Sequence, residues 1–495
     1  MSKIIIQNGN MCELDIPLKY AQKLYNEFAI RHPNAFYLRT RQRGMQNWDG
    51  KIHYITKTGQ FKIGLLPKVY DMCIEMGIKP KVVDMRQPLP KVSKVVTNIG
   101  KYKLRPEQEK AVKSVINNRV GDTPFHIGVL DYTVNAGKTL IMSSLYLSYK
   151  KQLKTLLITN DSDWLNQARE EFKQYLPGED ITFVQGKVLN WSNFTIGMVQ
   201  SISRNMRFYQ KELSQIDMVL IDEADQGGSK QYQNVITRLF NTRIRIGLSG
   251  TIYMSKLAKD KVKNMNLECF FGKVIAEFKL KDSIKKGYST KTIVKMVPGK
   301  PWYGNWESDC ISYKEIYDDS ITENNTAWTM AYNRLRWNIN QGRYPALVVC
   351  KHIAHCENLY KFFKKKLGDA YNIAYVHVNT PSKLRQQIMK DFREGKIDIL
   401  VSTTIIARGK NFPKLKYLLN TASMDSQEKS IQFLGRLVRT DESKNKVYLD
   451  DLHYPGNYLD RHGKHRKQYY QRQELKVILL DKLWKKHPNH SLIKS

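Results

Sequence analysis

Short, continuous apolar runs alternate with stretches of helical character from about residue 104 onward. Apolar strands of this kind, separated by helices, are typical of a parallel sheet that is covered by helices on both faces. An aromatic, irregular segment divides the runs into two groups, so the sequence predicts two α/β domains. The runs are Ile127–Leu130, Thr155–Thr159, Thr195–Val199, Met218–Asp222 and Ile246–Ser249, then Ala346–Cys350, Ile373–Val378, Ile397–Ser402, Tyr417–Ala422 and Lys446–Asp451.

Domain boundaries follow from shifts in composition along the 495 residues, a length that suits about three domains. We expect residues 1–95 to form a small basic α+β domain that binds nucleic acid. Residues 96–285 are predicted to form the first parallel-sheet domain, and 286–335 a connector. Residues 336–495 are predicted to form the second parallel-sheet domain, which ends in a basic tail.

The charge of the chain is strongly unbalanced, with 81 Lys and Arg against 46 Asp and Glu, a formal net charge of +35. Such an excess favours a polyanionic partner, because each cation near a phosphate releases a condensed counterion. A solvated basic surface that maintains solubility is the alternative. Six scattered Cys suit a reducing compartment, and the sequence has no apolar run of about 20 residues. We therefore expect a cytoplasmic protein that does not enter a membrane.

The segment Tyr132–Leu140, YTVNAGKTL, follows the first apolar strand and contains Gly-Lys-Thr. A glycine there lets backbone N–H groups approach phosphate oxygens, and the next helix points its positive end toward them. Lys138 is the residue expected to reach the β- and γ-phosphates, and Thr139 the one expected to hold Mg²⁺. Tyr132 stands where the Walker A pattern has its first Gly, and a chance Gly-Lys-Thr at a helix start is the alternative.

The segment Val219–Gln226 is an apolar strand that ends in Asp-Glu-Ala-Asp. Asp222 is suited to bind Mg²⁺ through its water shell, and Glu223 to orient or deprotonate an attacking water. An acidic surface turn is the alternative, but it does not explain why a buried strand leads directly into two carboxylates. Together with Lys138 and Thr139, these residues predict an ATPase site.

The segment Ile431–Thr440 contains two arginines three residues apart, Arg436 and Arg439. On a helix these arginines would share one face. An arginine supplied from a second domain stabilises the charge that develops in phosphoryl transfer. A basic helix face is the alternative, and it would not predict Gln432 and Gly435 in the same window.

Taken in order, these motifs resemble those of a superfamily 2 helicase with two RecA-like domains. The resemblance implies ATP and Mg²⁺ as cofactors, bound in a cleft between the domains, and Gln108 as the reader of adenine. It also implies that Ser249 and Thr251 couple the nucleotide site to the nucleic-acid groove. The implied nucleotide-binding residues are Gln108, Ala136, Gly137, Lys138, Thr139, Gly409 and Gln432. The matching segments are Leu104–Gln108, Tyr132–Thr139, Thr159–Gln167, Asp222–Asp225, Leu248–Thr251, Ser402–Leu415 and Gln432–Arg439.

A narrower resemblance lies in the N-terminal segment, where Asn47–Lys51 reads Asn-Trp-Asp-Gly-Lys. This segment is similar to one in the UvsW-type phage DNA helicases. The resemblance implies an enzyme that unwinds or remodels forks, Holliday junctions and R-loops in recombination, repair and replication. It further implies 3′-to-5′ polarity, strand annealing in some members, and the host cytoplasm for a phage-encoded chain. We expect single-stranded and branched DNA as partners, with RNA–DNA hybrids as a further substrate, and a monomeric protein.

Two other functions stay open on the sequence. One is an ATP-dependent RNA helicase, and the other is a basic nucleic-acid-binding or annealing protein with a vestigial ATP site. The stimulation of ATP hydrolysis by DNA or by RNA distinguishes them.

Candidate phosphate contacts in the N-terminal segment are Arg39, Arg41, Arg43 and Lys51, which cluster near an expected hairpin turn at Thr58–Gly59. The aromatic residues Trp48, Tyr54 and Phe61 are expected in the core rather than as base-stacking platforms. The basic cluster Arg461, Lys464, Arg466 and Lys467 in the tail is equally well explained as a solvated helix face.

The segment Cys350–Cys356 places two Cys and two His within seven positions. Zinc is disfavoured there, because the segment joins a core strand to a helix and would point its ligands in different directions. Asp450 and Asp451 follow a strand and are expected to have structural roles.

Overall fold

The structure is a computed structural model that describes residues 2–41, 45–149, 152–186, 188–252, 260–299, 312–407 and 412–480. It divides into two units, Met1–Phe278 and Lys279–Ser495. None of the helices in these described ranges is long and apolar enough to cross a membrane.

The N-terminal region of the first unit is a four-stranded sheet with flanking helices. The alternation of buried and partly exposed residues in its first two strands turns Ile4, Ile6, Cys12 and Leu14 to the core, as the period of two in a strand requires. The strand order is β5-β2-β1-β6. The elements are β1 (Lys3–Ile6), β2 (Met11–Asp15), α1 (Leu18–Glu27), β3 (Ala29–Arg31), α2 (Ala35–Arg41), β4 (Lys51–His53), β5 (Gln60–Lys62), α3 (Leu66–Glu75) and β6 (Lys81–Asp84).

The turn at Thr58–Gly59 is present, and Gly59 adopts a φ of 82° in it. The flanking strands do not form the expected hairpin, because β4 pairs with β3 and β5 pairs with β2. Only an isolated bridge between Ile55 and Phe61 joins the two sides of the turn. The turn signal in the sequence therefore predicted correctly where the chain reverses, but it did not predict which strands pair.

The rest of the first unit contains an eight-stranded sheet in the order β14-β13-β15-β12-β16-β17-β11-β18. Its neighbouring strands are parallel except for the short β14. The elements are β7 (Asn98–Ile99), β8 (Tyr102–Lys103), α4 (Pro106–Ile116), β9 (Arg119–Val120), β10 (Thr123–Pro124), β11 (His126–Tyr132), α5 (Lys138–Ser148), β12 (Thr155–Thr159), α6 (Ser162–Tyr175), β13 (Ile181–Gln185), β14 (Val188–Leu189), β15 (Phe194–Met198), α7 (Val199–Arg204), α8 (Gln210–Ser214), β16 (Met218–Asp222), α9 (Lys230–Ile236), β17 (Ile244–Ser249), α10 (Lys261–Phe271) and β18 (Val274–Phe278).

The second unit contains a seven-stranded parallel sheet in the order β21-β22-β20-β23-β24-β19-β25. The elements are α11 (Leu280–Lys285), β19 (Lys291–Pro298), α12 (Tyr313–Tyr317), α13 (Asn325–Ile339), β20 (Ala346–Cys350), α14 (Ile353–Leu367), β21 (Ile373–Val376), α15 (Ser382–Glu394), β22 (Ile399–Thr403), β23 (Tyr417–Asn420), α16 (Gln427–Leu437), β24 (Lys446–His453), α17 (Asn457–Arg472) and β25 (Val477–Leu479).

The predicted fold class, two tandem RecA-like parallel-sheet domains after a small basic α+β domain, is confirmed. Each of the ten apolar runs contains a strand. The segment 286–335, expected to be a connector, contributes β19 to the interior of the second sheet, where it pairs with β24 and β25. The alternating burial of β19 concealed it among the aromatic residues that follow.

Candidate active site

The loop between β11 and α5 has the backbone shape of a phosphate cradle. Asn135 and Gly137 adopt left-handed φ values of 64° and 70°, and Lys138 begins α5 directly afterwards. A Cβ built on Gly137 would lie 2.3 Å from Nε2 of Gln108, so this position accepts only glycine. The loop thus places its N–H groups and the start of a helix at the carboxyl end of a buried strand, as an anion site requires.

Two side chains attach this loop to α4. The hydroxyl of Tyr132 donates to the carbonyl oxygen of Glu107 at 2.8 Å, and Nε2 of Gln108 donates to the carbonyl oxygen of Ala136 at 2.8 Å. Oε1 of Gln108 accepts from the N–H of Arg105, also at 2.8 Å. Tyr132, which departs from the Walker A pattern, therefore has a supporting role. The amide of Gln108 is bonded to the protein at both ends, and adenine recognition by it remains a prediction.

Lys138 and Asp222 lie close together, since β11 and β16 both end at the same edge of the sheet. Nζ of Lys138 is 3.5 Å from Oδ1 of Asp222. Burial lowers the pKa of Lys138, but the charges of Asp222, Glu223 and Asp225 outweigh burial and hold that pKa above its usual value. The lysine thus stays a cation at the place where phosphate oxygens are expected.

The residues at this edge fit a Mg²⁺ ion. Oδ1 of Asp222 is buried, and within the described residues its contact is the ion pair with Nζ of Lys138 at 3.5 Å, which is long enough to leave this carboxylate suited to a metal or its water. Magnesium typically takes one or two carboxylates and keeps several waters. Thr139, half-buried in the first turn of α5, is the second predicted ligand. No cluster of three or more His, Cys, Asp or Glu suited to a metal occurs in the described ranges, and a water-rich magnesium site does not need one.

Ser249 and Thr251, the predicted coupling residues, are bonded to the acidic turn after β16. The hydroxyl of Ser249 donates to Oδ1 of Asp225 at 2.9 Å and lies 3.1 Å from the hydroxyl of Thr251. Glu223 turns the chain here with a left-handed φ of 52°. The sequence analysis did not single out Asp225, although its place three residues after Asp222 was the available signal. The acidic turn is therefore hydrogen-bonded directly to the end of β17.

In the second unit, Arg436 lies in the last turn of α16, but Arg439 lies beyond the helix, which ends at Leu437. The two arginines therefore do not share a helix face, and that expectation was wrong. The N–H and hydroxyl of Thr290 donate to the carbonyl oxygens of Val438 and Arg439, at 2.8 and 3.0 Å. These bonds fix the segment after the helix to the start of β19.

Gln432, Arg436 and Arg439 are all half-buried. Gly409 lies outside the described residues.

Asp450 and Asp451, at the carboxyl half of β24, are buried and bonded as structural carboxylates. Asp450 accepts from Nε of Arg334 at 2.9 Å, and Asp451 accepts from Nε and Nη2 of Arg466 at 3.0 and 2.8 Å. For the cluster of Arg461, Lys464, Arg466 and Lys467, the sequence left open phosphate contacts or a solvated helix face, and both require exposed side chains. Arg466 instead has no exposed surface. Spacing alone did not distinguish it from its basic neighbours.

The Cys350–Cys356 segment joins β20 to α14. Cys350 accepts from the hydroxyl of Thr421, while Cys356 donates weakly to the carbonyl oxygen of Val401. Nδ1 of His355 is 3.1 Å from the hydroxyl of Tyr317. Each of these three side chains thus has a partner within the core.

The predicted phosphate contacts of the N-terminal region lie on α2 and β4. Arg39, Arg41 and Lys51 are exposed, while Arg43 lies outside the described residues. The Asn-Trp-Asp-Gly-Lys segment forms a tight turn, in which Nε1 of Trp48 donates to the carbonyl oxygen of Lys51 at 2.9 Å and Oδ1 of Asp49 accepts from its N–H at 2.9 Å. These two bonds hold the backbone of Lys51, and its side chain is exposed to solvent.

The expected core aromatic residues of this region differ in burial. Phe61 is buried, whereas Trp48 and Tyr54 are half-buried. The hydroxyl of Tyr54 donates to Oδ1 of Asn266 in α10 at 3.0 Å. Tyr54 thus links the N-terminal region to the larger sheet domain of the same unit.

Two family models match the chain, and together they cover more than half of it. "Type III restriction enzyme, res subunit" matches residues 101–254, and "Helicase conserved C-terminal domain" matches residues 331–441. All seven motif segments named above fall within these ranges or at their edges. The chain belongs to the superfamily 2 helicases. This is a family of ATP-dependent enzymes.

Individual relatives are distant. The Saccharomyces cerevisiae protein IRC3, named as an ATP-dependent helicase, is 22% identical over 378 residues, which cover 70% of this chain and 51% of that protein. The chain thus spans about half of that relative's length. A fragment of an HsdR-type subunit of a type I restriction enzyme from Vibrio vulnificus YJ016 has the same fold, with a TM-score of 0.56 and 15% identity over 76% of this chain and 68% of that one.

The crystal structure of T4 UvsW aligns over 97% of this chain and 98% of that one, at 18% identity and a TM-score of 0.44.

Proposed function

We propose that this helicase is an ATP-dependent DNA helicase that remodels branched DNA. The observation that carries the ATPase part is the pairing of Lys138 with a buried Asp222 at the carboxyl edge of one sheet. The Asn47–Lys51 turn and the net charge of +35 support DNA as the substrate. The substrates we propose are forks, Holliday junctions and R-loops, in recombination, repair and replication.

The residues divide the work of hydrolysis. Lys138 binds the β- and γ-phosphates, with Ala136 and Gly137 supplying backbone N–H groups. Asp222 and Thr139 would hold Mg²⁺, which when bound would neutralise charge at the transferred phosphoryl group. Glu223 orients the attacking water, because a carboxylate beside the metal ligand is suited to accept its proton.

The second unit contributes positive charge to the same reaction. Arg436 and Arg439 stabilise the charge that develops on the phosphoryl group, and Gln432 and Gly409 contact the nucleotide. Ser249 and Thr251 couple the nucleotide site to bound DNA. Their hydroxyls form one hydrogen-bonded group with Asp225, so a movement of the acidic turn also moves the end of β17. We propose a monomer that acts with 3′-to-5′ polarity.

The test measures ATP hydrolysis with single-stranded DNA, duplex DNA, forked DNA and RNA of matched length. One fixed salt concentration is needed, because the affinity of so basic a chain falls steeply with ionic strength. We expect the greatest stimulation with forked or single-stranded DNA. Stimulation by RNA alone would replace the DNA assignment with an RNA helicase, and no hydrolysis with any of them would leave a binding protein.

Lys138→Ala is expected to lower the DNA-stimulated rate at least about 100-fold, the effect of removing one preorganised charge from a transition state. Binding of the fork, measured by fluorescence anisotropy, should stay within about twofold. Lys113→Ala is the matched control, since Lys113 is an exposed lysine of the same unit that pairs with Glu109. Joint loss of hydrolysis and DNA binding in Lys138→Ala would contradict the assignment.

A further inference from the structure

The short helix α2 presents two aromatic side chains to solvent. Phe36 is 80% exposed and Tyr37 is 55% exposed. Large apolar side chains that are adjacent and this exposed commonly mark a binding surface. Ala35, at the start of the same helix, is buried and anchors it. We call Phe36 and Tyr37 the aromatic pair.

Exposed cations surround the aromatic pair. Arg39 and Arg41 follow on the same helix, and the guanidinium of Arg41 lies 5.1 Å from the ring centre of Tyr37. Arg31 and Lys51 are directly opposite each other in the register of β3 and β4. Like charges that face each other across two strands destabilise the pair. Among the described residues, none of these four cations makes an ion pair within 4 Å, and the carboxylate of Asp49 is the acidic group whose charge acts on Lys51.

Hydrogen bonds and one close backbone approach join the elements beneath this surface. Gly50 adopts a left-handed φ of 78°, and a Cβ there would lie 3.2 Å from Cβ of Ala35. The carbonyl oxygen of Gly50 accepts from the N–H of His32 at 2.8 Å. Asp49, the acidic residue nearest the surface, is bonded to Nε2 of His53 at 2.7 Å. The turn therefore packs against the start of α2.

A cleft of about 440 Å³ opens between α2 and this turn, and it is lined by Arg31, Phe36 and Arg39 among others. Sites for small organic groups typically fall in the range of about 300–1,000 Å³. The cleft is therefore large enough for a nucleotide, and its lining includes the Phe36 ring, two guanidinium groups and the carboxylate of Asp49.

We propose that the aromatic pair stacks on unpaired bases of single-stranded DNA at a branch, while Arg31, Arg39, Arg41 and Lys51 hold the flanking phosphates. Aromatic faces joined to a basic surface are the common means of binding single strands, because every base has a face that can stack. Duplex DNA offers phosphates but no free base faces, so the aromatic pair distinguishes the unpaired arm from the duplex. This inference rests on the DNA helicase function proposed above.

The test compares two double variants of the full chain. Phe36→Leu with Tyr37→Leu keeps apolar side chains but removes the rings, whereas Phe36→Tyr with Tyr37→Phe keeps both rings. Affinity is measured by anisotropy on a fork with a single-stranded arm and on a blunt duplex. The leucine variant is expected to bind the fork about fivefold to a hundredfold more weakly, the effect of losing one stacked base, and the duplex unchanged. The ring-preserving variant should bind both like wild type.

A second measurement reports stacking itself. The fluorescent base 2-aminopurine, whose emission is quenched by stacking, is placed along the single-stranded arm. Wild type should change its emission at one or two positions, and the leucine variant should abolish that change. Phe208→Leu is the control, since Phe208 is 78% exposed elsewhere in the same unit and should leave the change intact.

The salt dependence separates the rings from the cations. The leucine variant should keep the wild-type slope of log affinity against log salt, because it removes no phosphate contact. Arg39→Gln with Arg41→Gln should reduce that slope by about 1.4 on single strands.

Equal fork binding by the leucine and ring-preserving variants would overturn the inference. A 2-aminopurine response that is the same in the leucine variant as in wild type would also overturn it. A loss of self-association in place of DNA affinity, seen by sedimentation, would also overturn it. DNA-stimulated hydrolysis by wild type tests the proposed function separately.

Discussion

Arg245 in the first unit and Arg466 in the second are both fully buried, and they are stabilised in different ways. Arg466 meets a carboxylate, Asp451, and this pair raises the pKa of the guanidinium although burial opposes it. Arg245 donates to the carbonyl oxygens of Gly9 and Phe270 and to Oδ1 of Asn10, at 2.6, 3.1 and 2.8 Å. Burial and the charge of Arg86 lower its pKa.

The difference shows two uses of a buried cation. Arg466 fastens α17 to β24 with opposite charges, so each partner depends on the other. Arg245, which lies in β17, instead donates hydrogen bonds to Gly9 and Asn10 of the N-terminal loop and to Phe270 of α10. It therefore joins these three parts of the first unit. Since a guanidinium does not lose its proton in a protein, Arg245 stays charged and relies on carbonyl dipoles alone.

Replacing Arg466 by Met should have the largest effect on stability. The substitution leaves Asp451 buried, with Tyr470 and Asn420 as its remaining donors, and breaking a buried pair from one side costs about 3–5 kcal/mol. The free energy of unfolding in urea measures the loss. Lys464→Met, at an exposed position of the same helix, is the control and should change stability by less than about 0.5 kcal/mol. A loss below about 1 kcal/mol in Arg466→Met would remove the contrast between the two arginines.

His355 sharpens the comparison, because a histidine can lose the proton that an arginine retains. Burial lowers the pKa of His355 to about 3, while the unfolded chain binds a proton below pH 6.5. Its contribution to stability is therefore complete above pH 6.5 and declines as the pH falls toward 3, by about 2 kcal/mol at pH 5. Urea unfolding of wild type and His355→Phe between pH 7 and 5 measures the slope. The variant should lack this component, and identical slopes would show that His355 does not titrate on unfolding.

Replacing Arg245 by Met should have the smallest effect, a loss on the order of 1 kcal/mol. The variant loses three hydrogen bonds, but it also removes a buried charge that meets no carboxylate in the described structure. Urea unfolding under the conditions used for Arg466→Met gives the comparison directly. A loss as large as that of Arg466→Met would mean that carbonyl oxygens stabilise a buried guanidinium as well as a carboxylate does.

The sequence was sufficient to place ten apolar strands of the two large sheets and the motif residues that follow them. A continuous apolar run such as Met218–Asp222 has few ways to be buried other than as an interior strand, and its polar end must then lie at the sheet edge. Lys138 and Asp222 were expected to belong to one ATPase site, and the parallel strands before them explain why they lie at one edge.

Residues whose role depends on a distant partner were not predictable. Arg466 is one basic residue among several until α17 packs on β24 and brings Asp451 beneath it. Asp225 accepts a hydrogen bond from Ser249, which lies at the end of another strand. Tyr132 donates to the carbonyl oxygen of Glu107, which lies in α4. Neither partner is evident from the local sequence. β19 pairs with strands more than 150 positions later in the chain, so no local pattern identified its neighbours.

The contacts of the N-terminal loop also govern the order in which the chain can fold during synthesis. Gly9 donates to the carbonyl oxygen of Phe240, and the backbone at Gly64 approaches Glu268 so closely that a Cβ would lie 2.1 Å from its carbonyl oxygen. The N-terminal region therefore completes these contacts only after α10 has left the ribosome. At about 5–20 residues per second, the interval from Gly64 to the end of α10 is on the order of 10–40 s. During this time the segment around Gly64 lacks the helix that packs against it, and a chaperone that binds nascent chains has an opportunity to bind there.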